Sequence, residues 1–95
     1  MKKIEWMLGN IKDEVKGAMM YAESYVMHKT THPDFARMYA EMANQELNHA
    51  DYLTTIYKAQ IDSFAYVPED DKDMWDDCLK KVAEKSAIIK LMLSK

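Results

Sequence analysis

Glu46 and His49 stand three residues apart in the stretch QELNHADYL, residues 45 to 53. On a helix that spacing puts a carboxylate and an imidazole on one face, a turn apart. A third chemically capable group, Glu14, lies 32 residues before Glu46. Two carboxylate oxygens and one imidazole nitrogen are a donor set that suits divalent iron, manganese or zinc. Without a metal, two buried carboxylates need some other positive charge, because burying them uncompensated is expensive.

The elements that must position these groups are helices. The 95-residue chain holds only 2 Gly and 2 Pro against 48% apolar residues, too little punctuation for the turns of an all-β protein. Its length suits one domain with a single modest core. The first helix is expected over residues 3–29, with Gly9-Asn10 as a candidate break. Its inward stripe is Ile4, Met7, Ile11, Glu14, Ala18, Tyr21, Tyr25 and His28. Pro33, with Thr31 and Asp34 as a start signal, opens a second helix over 33–61. There the stripe is Phe35, Tyr39, Met42, Glu46, His49, Leu53, Ile56 and Gln60. A third helix, 69–93, presents Trp75, Leu79, Val82, Ser86, Ile89 and Leu93; its acidic start and its later lysines complement the helix dipole.

An antiparallel hairpin turning at Thr31-His32 places Glu14 level with His49, and Glu46 one turn away on the same face. No lysine or arginine occupies either stripe. A divalent metal is the economical compensation. The alternative is a hairpin rotated so that Glu46 and His49 edge the solvent as an ordinary polar cluster.

Other functions are disfavoured by composition. A net charge of −3, from 16 acidic and 13 basic side chains with no basic aromatic stretch, argues against nucleic acid as a partner. No apolar run approaches a membrane span and no secretory leader is visible, so a soluble cytoplasmic protein is expected. The lone Cys78 excludes an intrachain disulfide and reads as a buried structural thiol. The 9 methionines suit an adaptable core.

Residues 10–57 resemble the ferritin-like and rubrerythrin-like carboxylate proteins, in which a four-helix bundle gathers single glutamates from two helices and Glu-x-x-His from the other two. Glu14, with the small Gly17 three residues on and Tyr21 seven on, resembles the first helix of the rubrerythrin type; Glu46-Leu-Asn-His49 followed by Ala50 resembles its second. Small phage-encoded ferritin-like proteins look similar, also with a third helix after the hairpin. The third helix here lacks a second Glu-x-x-His, so one chain carries half a site. The resemblance implies completion by a two-fold homodimer, as in half-length encapsulated ferritins, or by a higher homo-oligomer.

In that reading Glu14, Glu46 and His49 are the metal ligands, with two iron or manganese ions per dimer. The implied activity is that of a ferroxidase or peroxidase-type oxidoreductase, oxidising Fe(II) with oxygen or peroxide. No catalytic residue is expected beyond the ligands. Tyr21 and Tyr52 are candidates to hydrogen-bond a ligand carboxylate, with aromatic core filling as the plainer use. His28 and His32 flank the turn, and Glu23 and Glu41 fall on the solvent side. The competing reading is a non-enzymatic structural or interaction protein, phage-derived, that keeps the fold without metal.

Overall fold

Residues 1–95 are described by a computed structural model, and they form three helices without a strand: α1 (Lys2–His28), α2 (Pro33–Asp62) and α3 (Glu69–Leu93). The expected boundaries hold to within a residue at each end. α1 runs unbroken through Gly9-Asn10, although a mid-helix glycine costs about 1 kcal/mol against alanine. Burial of Met7, Leu8 and Ile11 around it offsets that loss. α2 opens with Pro33 in its first turn, but His32 caps it without a side-chain hydrogen bond. Thr31 Oγ1 instead lies 3.0 Å from His32 Nδ1, so the Thr31 start signal is not used. Glu69, Asp70 and Asp71 occupy the first turn of α3, where the helix dipole favours them.

α1 and α2 pack as a long antiparallel hairpin, and α3 returns along α1. The hairpin seam is built from small residues: Ala18 and Ala22 on α1, Ala36, Ala43 and Ala50 on α2, all buried. Small side chains let the backbones approach closely and push larger groups to the flanks. α3 adds Trp75, Cys78 and Ile89 to the same core. The result is a rod of 54 × 18 × 17 Å whose length is set by the two hairpin helices. The buried Asp71 carboxylate is compensated by the Met1 ammonium at 2.6 Å. No helix is long and apolar enough to cross a membrane.

The alanine seam changes the expected stripe on α2. Its buried line is Ala36, Ala43, Leu47, Ala50 and Tyr57, turned about one residue from the expected one. Phe35, His49, Ile56 and Gln60 are therefore exposed instead of inward, while Tyr39, Met42, Glu46 and Leu53 are half-buried. α1 follows expectation more closely. Ile4, Met7, Ile11 and Ala18 are fully buried, with Glu14, Tyr21, Tyr25 and His28 half-buried along one edge. On α3, Trp75 and Ile89 are buried, and Leu79, Val82, Ser86 and Leu93 are half-buried.

Candidate metal centre

Glu14, Glu46 and His49 come together at one level of the hairpin. Their donor atoms all lie within 4.8 Å of one another. His49 Nδ1 is 3.6 Å from Glu14 Oε2 and 3.8 Å from Glu46 Oε1. The hairpin register inferred from the turn is therefore the observed one. The depth is not: the two glutamate side chains keep 28% and 27% of their exposure and that of His49 keeps 60%, so the cluster sits on the rim of the seam.

Gly17 makes room for this arrangement. A Cβ there would lie 3.0 Å from Glu46 Oε2 and 3.6 Å from its carboxyl carbon. With hydrogen in that place, the carboxylate lies across α1 and reaches Glu14. The two acids interact strongly: a hydrogen bond with the Glu14 carboxyl, burial and the Glu14 charge all push the Glu46 carboxyl above its ordinary value, while His49 draws it down. Two carboxylates held this close repel each other and are short of positive charge. No lysine or arginine forms an ion pair with either glutamate. A divalent cation fits that deficit and the mixed oxygen and nitrogen donors.

The seam around the cluster is layered. Seven residues from Glu14 and Glu46 on their respective helices, Tyr21 and Tyr39 stack with ring centroids 6.4 Å apart. Seven further on, His28 and His32 meet edge to face at 5.8 Å beside the turn. Tyr39 thus belongs to the surroundings of the site; its seven-residue distance from Glu46, matching that of Tyr21 from Glu14, was the available signal. Tyr52 is 70% exposed, and neither its hydroxyl nor that of Tyr21 is hydrogen-bonded to a site carboxylate in the single chain. Glu23 and Glu41 lie on the surface. Cys78 is buried, and burial raises its thiol pKa in spite of Lys12, Lys81 and Lys85, as befits a structural thiol.

The cluster opens onto the side of the hairpin away from α3. Val15 on α1 and Thr54 on α2, which border grooves against α3, lie well round their helices from Glu14 and His49. Along the open side, Phe35, Met42, His49 and Ile56 recur every seven residues, with Met38, Gln45 and Tyr52 between them. Phe35, Met38, Tyr52 and Ile56 are 55%, 43%, 70% and 41% exposed, and Trp6 on α1 is 63% exposed. Such a seven-residue apolar repeat, unfilled by the chain's own third helix, has the form of a helix-packing seam.

No known family, curated protein or solved structure matches the chain.

Proposed function

We propose that the chain is a ferritin-like carboxylate protein that binds iron or manganese through Glu14, Glu46 and His49 and completes a dinuclear site by pairing with a second copy. The observation that carries this reading is the convergence of the three donors from two helices within 4.8 Å, with no lysine or arginine paired to the carboxylates. Three donors leave a metal open coordination positions. A two-fold related copy facing the open side supplies the same three again, giving four carboxylates and two imidazoles. The seven-residue apolar repeat that runs past His49 supports that partner.

The residues divide the work. Glu14 and Glu46 supply negative charge and oxygen donors, and His49 supplies nitrogen from the exposed rim. Gly17 keeps the space that lets Glu46 lean across the hairpin. Iron bound there would supply electrons to oxygen or peroxide, with Fe(II) as the species oxidised. The contacts of His49 with both carboxylates also suit a second reading, a metal-free structural or interaction protein in which protonated imidazole neutralises the pair.

Elemental analysis separates the two. Protein purified without chelator and supplied with Fe(II) or Mn(II) under anaerobic conditions is compared with Glu46→Ala and His49→Ala. Metal retained by wild type and lost by both variants supports the proposal. Equal metal in all three rejects it.

A further inference from the structure

A cavity of about 470 Å³ lies at the end of the rod away from the hairpin turn, where the connector after α2 passes the starts of α1 and α3. That volume is within the range of pockets that take small organic ligands. The wall is apolar and aromatic: Ile4 from α1, Ile61 from α2, Phe64 and Val67 from the connector, and Trp75 from α3. Ile4 and Trp75 are buried members of the core, so the fold itself holds the wall in place, while the exposed Tyr66 borders the cavity toward solvent. The metal donors lie elsewhere. Ile4 precedes Glu14 by ten residues of α1, about 15 Å of helical rise.

The charge on this wall is unbalanced. Five charged side chains line the cavity: Asp62, Asp71 and Asp76 against Lys58 and Lys72. Both lysines are already engaged, Lys58 by Asp62 at 2.6 Å and Lys72 by Glu69 at 3.9 Å. Asp76 pairs with no basic group. Asp71, more than nine-tenths buried, gives Oδ1 to the Met1 ammonium and leaves Oδ2 without a protein partner. Asp71, Trp75 and Asp76 share one face of α3, so these carboxylates and the indole border the same space. The aromatic wall also attracts cations: Lys3 Nζ stands 5.5 Å from the centroid of the Phe64 ring. We propose that the cavity binds a small organic amine. Its ammonium is taken by Asp76 and by Oδ2 of Asp71, and its apolar body lies against Phe64 and Trp75. An anion of the same shape meets carboxylates on a wall whose lysines are paired, and a neutral molecule leaves the deficit of positive charge unfilled.

The test uses phenethylamine as probe, with 3-phenylpropionate and 2-phenylethanol as its anionic and neutral counterparts. Trp6→Phe leaves Trp75 as the one tryptophan, and its emission is followed as each probe is added to metal-free protein at constant ionic strength. A saturable change is expected with the amine, at an affinity about tenfold or more above that for either counterpart. Amide NMR shifts caused by the amine should fall within residues 58–76 and at the start of α1. Asp76→Asn, at an exposed position, keeps the fold by circular dichroism and should weaken amine binding about tenfold. Asp34→Asn, on the surface at the opposite end of the rod, should leave it unchanged. The absence of a saturable change overturns the inference, as does a carboxylate or alcohol that binds as tightly as the amine. Unchanged affinity in Asp76→Asn, or NMR shifts centred on Glu14 and Glu46, overturns it equally.

Discussion

Gly17 and Glu46 meet across the hairpin: the position a Cβ would take on residue 17 is 3.0 Å from Glu46 Oε2. A methyl group there forces the carboxylate to move, while the helix itself gains from replacing glycine. Gly17→Ala should therefore separate stability from binding. The metal-free variant should be as stable as wild type or more so, by up to about 1 kcal/mol. Its metal affinity should fall roughly tenfold or more, the scale seen when groups that orient ligands are changed. Thermal unfolding and metal titration on the same samples check both halves.

The acid pair gives a pH dependence whose sign follows from proton binding. Glu46 holds its proton more tightly in the folded chain than in an unfolded one, because of Glu14, burial and the Glu14 charge. Its contribution to metal-free stability is therefore present below the ordinary carboxylate range and lost as pH rises through the raised folded value. Glu46→Gln removes that loss. The metal-free variant should have a higher melting temperature than wild type at pH 7, with the difference closing toward pH 4. Metal binding runs the other way: it needs both carboxylates ionised, so it should weaken on acidification from a pH above the usual glutamate range.

The open side of the hairpin predicts an assembly defect without a folding defect. Ile56 is 41% exposed in the single chain, so Ile56→Lys should change monomer stability by no more than about 0.5 kcal/mol. In a dimer packed on that side, the same change places two lysines in an apolar seam. The expected result is a monomeric mass by light scattering, with less metal bound per chain. An unaltered dimer would locate the partner surface elsewhere.

The alanine seam predicts the opposite pattern. Ala43 is fully buried between the hairpin helices, where larger residues have no space. Ala43→Leu should destabilise the chain by about 1–3 kcal/mol in denaturant unfolding, through overpacking. Its metal binding should fall as well, since separating α1 from α2 parts Glu14 from Glu46 and His49.

Helix extents and hairpin register were legible because they rest on local signals. Pro33, the acidic run before Trp75 and the position of the turn bracket the helices and put Glu14 opposite His49. Depth was not legible. A stripe counted over large apolar residues points α2 inward along Phe35, Met42 and Ile56, but the hairpin closes through Ala36, Ala43 and Ala50. Small residues win the centre because they let the backbones approach, and hydropathy counting gives them little weight. The same rotation moved His49 from the core to the rim. The Tyr21–Tyr39 stack follows from the same hairpin register, but each tyrosine alone reads as ordinary core filling.

The central claim is that Glu14, Glu46 and His49 bind metal at an interface between two copies. Anomalous diffraction from crystals grown with Fe(II) or Mn(II), recorded on either side of the metal's absorption edge, tests it most directly. The account predicts two anomalous peaks between a pair of two-fold related chains, each within bonding distance of glutamate and histidine donors from this set. Paired chains with His49 closing directly on the two carboxylates, and no anomalous density between them, would contradict it.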